Sequence, residues 1–264
     1  INQNNNNSSS LMNSSYSDDL EYPRFCLSAS SDDLIFKTFR QNDIYNRIVE
    51  LLSESQGQEF LNEIKLNPDI ILEIESFKKN DNFGSPRVYK YPKVGKISPT
   101  TLMYTKILYD LEKLFGNLNG FDIVEVGVGY GGQSRVINEK FNINSYTLFD
   151  LKETLLLAEK FLSEFKNFEK NKFQSIEDYP LKQHDLFISN FSFTELRRDF
   201  QELYMNKLIL NSKRGFLIYN DMTPEEFNSY QLGELLEMIP NSRVIAEKPL
   251  TSPKNCIIIW GENS

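Results

Sequence analysis

The stretch "IVEVGVGYGGQS", residues 123–134, joins a short apolar run to a glycine-rich turn, and its reading decides the fold. Such a run reads as a strand whose carboxyl end meets a ligand. Glycine lets the backbone approach closely, and a helix starting just beyond presents free N–H groups. Gly127, Gly129 and Gly132 satisfy the G-x-G-x-x-G spacing of NAD enzymes, while Gly127, Gly129 and Gly131 equally satisfy the G-x-G-x-G spacing of S-adenosylmethionine enzymes. A tight strand-to-helix turn that binds nothing is also compatible, so the flanks must choose.

Downstream, strands and helices alternate. "GGQSRVINEKF" begins a helix, "NSYTLFDL" is a second strand, and Leu151, Leu155, Ala158, Leu162 and Phe165 mark an amphipathic helix. "NKFQS" is a weak third strand and "HDLFISNF" a clear fourth, followed by a helix over "ELRRDFQELYMNKLIL" and a fifth strand over "RGFLIYND". Alternation at this spacing means a parallel sheet with helices on both faces. The end of the chain departs from it. After a helix over "EEFNSYQLGELLEMI", the strands "SRVIAEKPL" and "NCIIIWGE" are separated by too little chain for a parallel crossover, so they must pair antiparallel. A parallel core closed by an antiparallel hairpin is the layout of class I methyltransferases, whereas a dinucleotide-binding fold continues with another crossover helix. The expected fold is therefore α/β, Rossmann-like, with an N-terminal helical cap.

Upstream, residues 1–20 are Asn- and Ser-rich and nearly devoid of apolar residues, which predicts a disordered tail. Residues 21–97 form the expected cap: the helical pattern starts near residue 33, Ile44, Ile48, Leu51 and Leu52 share a helical face, and "GQEFLNEIKL" and "PDIILEIESF" give two further helices. Residues 78–96 read as a loop in which Arg87, Tyr89, Tyr91 and Lys96 offer either a lid over the site or a solvated linker. Ser98 and Pro99 then cap a helix continued by Tyr104, Leu108, Leu111 and Phe115, and residues 98–264 form the ligand-binding domain.

With 264 residues, 40% of them hydrophobic, the chain can bury one large core. A net charge of -8 argues against nucleic acid or an anionic membrane as partner, since both draw affinity from clustered Lys and Arg. The two cysteines, Cys26 and Cys256, form no disulfide framework or zinc pattern, no His/Cys cluster suggests a metal, and no signal or membrane-spanning pattern is present, so a cytoplasmic protein is expected. The Ile1 start suggests a fragment of a longer product. Nothing in the spacing sets an oligomeric state.

Position along the strands predicts role, because ligands bind at the carboxyl ends of a parallel sheet. Glu125 lies inside an apolar strand two residues before Gly127, where an unpaired charge is costly, so a cation should meet it; the amino group of a bound methionine moiety would serve. Asp150 ends the second strand, about 20 residues beyond Gly127, where a carboxylate accepts ribose hydroxyls; it equally suits the cap of the next helix. Gln174, Ser175 and Ile176 follow the third strand, where an adenine is held. His184, the one histidine, sits at the amino end of its strand and reads as a surface or structural residue.

The blocks "KISPTTLMY", "VEVGVGYGGQ", "LFISNFSFTEL" and "RGFLIYN", which span about residues 85–221, together resemble the bacterial sugar O-methyltransferases often encoded with surface-polysaccharide genes. The resemblance implies S-adenosylmethionine as cofactor and a sugar or glycan hydroxyl as acceptor. Methyl transfer to a hydroxyl needs the nucleophile aligned and its proton removed, which directs attention beyond the fourth and fifth strands. There Asn190, Ser192 and Glu195, and Tyr219, Asn220 and Asp221, are the candidates, with Glu195 also suiting a first-turn helix acid and Asp221 a loop cap. The fourth strand ends in "SNFSF" and lacks the Asn-Pro-Pro-aromatic turn of base-amine methyltransferases. An NAD-dependent oxidoreductase, or a methyltransferase-like scaffold without chemistry, are the competing expectations.

Overall fold

In the computed structural model, which describes residues 14, 15 and 17–263, a three-layer α/β sandwich is built around one seven-stranded sheet. Cap helices come first: α1 (Glu21–Ser31), α2 (Asp33–Phe36), α3 (Asp43–Asn46), α4 (Glu54–Ile64) and α5 (Pro68–Phe77). A small antiparallel hairpin, β1 (Tyr89–Tyr91) and β2 (Gly95–Ile97), leads into α6 (Pro99–Phe115). The alternating part runs β3 (Asp122–Val126), α7 (Gly132–Lys140), β4 (Ser145–Phe149), α8 (Lys152–Leu162), β5 (Asn171–Gln174), β6 (His184–Asn190), α9 (Arg198–Lys207) and β7 (Ser212–Tyr219). It ends with α10 (Leu232–Met238), β8 (Arg243–Ala246) and β9 (Cys256–Trp260).

The strand order is β5-β4-β3-β6-β7-β9-β8. β5 to β7 are parallel, and β9 inserts antiparallel between β7 and β8, as the short final connection requires. Side chains alternate across the sheet with period two. Leu186 and Ile188, with Phe216 and Ile218, face the layer that holds the cap helices and α6 to α8; Phe187 and Leu217 face α9 and α10. The first of these cores is continuous from Tyr22 in α1 to Ile259 in β9, so the cap shares a core with the sheet.

Local chemistry explains the boundaries. The Ser98 hydroxyl accepts the Thr101 N–H, Pro99 takes the first helical position where no donor is needed, and Tyr104, Leu108, Leu111 and Phe115 are all buried, as their spacing predicts. Several expectations need correction. Residues 14, 15 and 17–20 fall in the stretch read as disordered, yet Ser15 is buried in a bridge to Leu196 and the Ser14 carbonyl accepts the Arg197 N–H; residues 1–13 and 16 of that stretch lie outside the described residues. Helix begins with α1, earlier than residue 33, because Pro23 falls in its first turn and Tyr22, Cys26 and Ala29 repeat with helical spacing. Ile44, Ile48, Leu51 and Leu52 do not share a helix. α3 stops at Asn46, and the chain after it delivers the Glu50 carboxylate to the Arg40 guanidinium at 2.5 Å. The segment read as a loop contains β1 and β2, and Tyr91 is no free lid residue: it is buried and donates to the Glu54 carbonyl. α9 starts only at Arg198, and α10 is shorter than the pattern suggests, because Asn228, Ser229 and Tyr230 are bonded to Arg198, Leu196 and Gln201.

Candidate functional site

The carboxyl ends of β3, β4 and β6 meet at the glycine turn, and that of β7 meets the loop after β6. Gly127, Gly129 and Gly131 have φ of +78°, +54° and +87°, a region that other residues enter only with strain. A Cβ on Gly127 would overlap the Ser192 side chain, which the loop after β6 lays over the turn. At Gly129 the cover comes from the cap, with Val49 carbons 3.6 and 3.7 Å and the Tyr45 hydroxyl 3.9 Å from the place of a Cβ. The turn is thus roofed on both sides.

Asp150 closes the turn from β4. Its Oδ2 accepts the N–H groups of Val128 (2.7 Å) and Gly129 (3.3 Å), and its Oδ1 accepts the N–H of Leu151 (2.7 Å). It does not cap α8, whose N-cap carries no side-chain bond. Burial pushes its carboxyl up to about 6, against the pull of these three donors.

Glu125 lies buried at the carboxyl end of β3. No cation meets it among the described residues; the Tyr146 hydroxyl on β4 donates to its Oε2 at 2.6 Å, and burial pushes the carboxyl up to about 8. The energetic reason is that a lone carboxylate sealed in an apolar layer gains more by holding its proton than by keeping its charge. A stability consequence follows. A folded-state carboxyl raised above its unfolded value stabilises the fold at low pH, and that contribution is lost as pH rises from about 4.5 through about 8. Glu125→Gln should therefore gain about 1–3 kcal/mol relative to the parent at pH 8 compared with pH 5, as read from urea unfolding at the two pH values. An equal difference at both would mean that Glu125 is ionised in the fold.

Beyond β6, Asn190 donates from Nδ2 to Gln133 Oε1 at 3.2 Å, and Gln133 in turn donates to the Tyr104 carbonyl. The Asn190 Oδ1 is buried without a partner. The Ser189 hydroxyl donates to the Val126 carbonyl and accepts the Phe193 N–H, tying the loop to β3. Glu195 sits in a 3-10 turn, not at the start of α9, so no α-helix dipole explains it. Its Oε1 accepts the Asn220 amide at 2.7 Å, while Asn220 Oδ1 accepts the Thr194 hydroxyl. Burial raises the Glu195 carboxyl above the usual range.

Three sequence candidates stand apart from this group. Asp221 is in an open ion pair with Lys254 at 3.0 Å, and Gln174 and Ser175 are exposed, the latter donating to Glu177. His184 lies at the amino end of β6, buried and stacked on Tyr179, with its pKa pushed down to about 4 by burial.

Sequence reasoning missed the buried ion network behind the turn. Arg40, wholly buried, reaches Glu50, Asp81, the Asn80 carbonyl and the Ser98 hydroxyl, and its guanidinium lies 4.5 Å over the Tyr130 ring. Asn80 donates to the Gly132 carbonyl, which connects the network to the first residue of α7. No spacing rule announces it, because its members come from four separate segments.

No protein-family model matches the chain, and no curated protein does. Among solved structures it is similar to a Pyrococcus horikoshii protein described as a candidate RNA methyltransferase, at 18% identity over 71% of this chain and 96% of that one, with a TM-score of 0.45. It is similar also to the magnesium protoporphyrin IX methyltransferase of Synechocystis PCC 6803 with bound S-adenosylmethionine, at 14% identity over 60% of this chain and 74% of that one, TM-score 0.44. An S-adenosylmethionine-dependent methyltransferase of Mesorhizobium loti is a third, at 12% identity over 57% of this chain and 95% of that one, TM-score 0.44. No helix among the described residues is long and apolar enough to cross a membrane.

Proposed function

We propose that the chain is an S-adenosylmethionine-dependent O-methyltransferase acting on a sugar or glycan hydroxyl. The observation that carries the reading is the sheet order with its antiparallel β9, combined with the glycine turn at β3 and the carboxylate at the end of β4. A dinucleotide-binding sheet continues parallel at that place, so the NAD reading is disfavoured. The sugar acceptor rests on the four sequence blocks, and the chain's acidity supports a small or glycan acceptor over RNA.

The residues fit a nucleoside ligand: left-handed glycines bring backbone close, Asp150 ends β4 against the turn, and Asn190 beyond β6 keeps an unpartnered amide oxygen. Glu125, the turn and Asp150 would hold the cofactor, which supplies an electrophilic methyl group when bound. Glu195 takes the proton of the acceptor hydroxyl, with Asn220 fixing one carboxylate oxygen and leaving the other to work. Ser192 must withdraw from Gly127 for the ligand to enter.

S-adenosylhomocysteine at 100 times its dissociation constant should stabilise the protein by about 2.7 kcal/mol, a rise of roughly 5–10 °C in melting temperature, and NAD should not. Asp150→Ala should weaken that binding by about 1.5–3 kcal/mol by calorimetry. Stabilisation by NAD alone would overturn the reading, and binding of neither ligand would leave a scaffold.

A further inference from the structure

Three polar atoms on α3 have no hydrogen-bond counterpart among the described residues. The Tyr45 hydroxyl and both amide atoms of Asn46 are buried and have no hydrogen-bond partner among the described residues. Other side chains of this segment are satisfied: Asn42 caps α3 by accepting the Ile44 and Tyr45 N–H groups, and Glu50 holds Arg40 and Thr100. An unpartnered buried hydroxyl or amide loses its bonds to water for nothing in return, so such groups are rare and call for a partner.

The place of the Tyr45 hydroxyl says which partner. The Tyr45 hydroxyl stands 3.9 Å from the position of a Cβ on Gly129, whose N–H bonds Asp150. The Tyr130 hydroxyl, from the same turn, is also buried and unpartnered. The ring of Tyr45 is fixed by neighbours: Phe39 meets it edge-on at 5.1 Å, and Tyr22 stacks on it at 5.8 Å. A hydroxyl held so firmly, aimed at a glycine turn and bonded to nothing, is arranged to meet a ligand.

We infer that Tyr45 and Asn46 are ligand-binding residues, which hydrogen-bond an oxygen-bearing part of the cofactor lying over Gly129, the ribose of its nucleoside or its aminocarboxylate. The inference rests on the proposed function, and it makes the cap part of the cofactor site. A hydroxyl donates to or accepts from either group, and an amide offers both a donor and an acceptor.

The test is calorimetric binding of S-adenosylhomocysteine and of 5′-methylthioadenosine, which keeps the ribose but lacks the aminocarboxylate, to the parent, Tyr45→Phe and Asn46→Ala. Tyr45→Phe removes only a hydroxyl without a partner, so its ligand-free melting temperature should hold or rise. Each variant should bind S-adenosylhomocysteine about tenfold more weakly. An equal loss for 5′-methylthioadenosine assigns the contact to the ribose, and a loss confined to S-adenosylhomocysteine assigns it to the aminocarboxylate. Affinities within twofold of the parent in both variants would overturn the inference while leaving the proposed function standing. Failure of the parent to bind S-adenosylhomocysteine would overturn both.

Discussion

Exchange of Glu195 for Gln is expected to lower turnover by at least about a hundredfold while leaving S-adenosylhomocysteine affinity within about twofold. General-base assistance is worth about 10²–10⁴ in rate, and Gln keeps the shape and the bond to Asn220 without being able to take a proton. A loss in turnover with unchanged cofactor binding is the signature of an interaction made in the transition state. The pH profile supplies a second reading. A base must be deprotonated to act, so the rate falls as pH drops through its pKa; because burial raises the Glu195 carboxyl, that acid limb should lie above the ordinary glutamate range. Turnover is measured with an acceptor on which the parent is active. Normal turnover in Glu195→Gln together with its abolition in Asp221→Asn would move the base to β7, in spite of the open pairing of Asp221 with Lys254.

The parts of this molecule that were legible in the sequence are those governed by local rules. The Ser98–Pro99 cap, the apolar strands β6 and β7, and the short link that forces β9 antiparallel depend on residues near one another in the chain. The glycine turn was legible for the same reason, since positive φ at Gly127, Gly129 and Gly131 is a local demand. What escaped depends on distant partners. α3 ends early because Glu50 is recruited by Arg40, and α10 is cut short because residues 228–230 are held by α9 and the loop before it. Glu125 shows the limit most clearly. The sequence marks a buried carboxyl, but the burial that raises it and the Tyr146 hydroxyl on the neighbouring strand that pulls it back are features of the fold. Likewise, Asp150 could be placed at the strand end from the sequence, while its engagement with the turn's own N–H groups required the fold.

Replacing Arg40 with Met should cost about 3–5 kcal/mol of stability, read from the urea midpoint at unchanged m. The side chain is wholly buried and faces two nearly buried carboxylates, Glu50 at 2.5 Å and Asp81 at 3.2 Å. Burial works against its charge, yet Glu50, Tyr130 and Asp81 outweigh this and hold the proton more tightly than usual. Removing the guanidinium leaves both acids facing each other without compensation, and that is the costly half of a buried pair. With total stability commonly 5–15 kcal/mol, the loss is a large fraction of the whole. The penalty lies in the stranded charges, so adding Glu50→Gln and Asp81→Asn to Arg40→Met should recover part of it. Arg40→Lys should remain destabilised, because a single ammonium cannot reproduce the fork that spans Glu50, Asp81, the Asn80 carbonyl and the Ser98 hydroxyl. A functional effect should accompany the loss. The same guanidinium lies over the Tyr130 ring, and Asn80 holds the Gly132 carbonyl, so the seat of the cap on the glycine turn loosens with it. A stability loss under about 1 kcal/mol in Arg40→Met would mean that water reaches Glu50 and Asp81, and that the cap is held to the turn by apolar contacts alone.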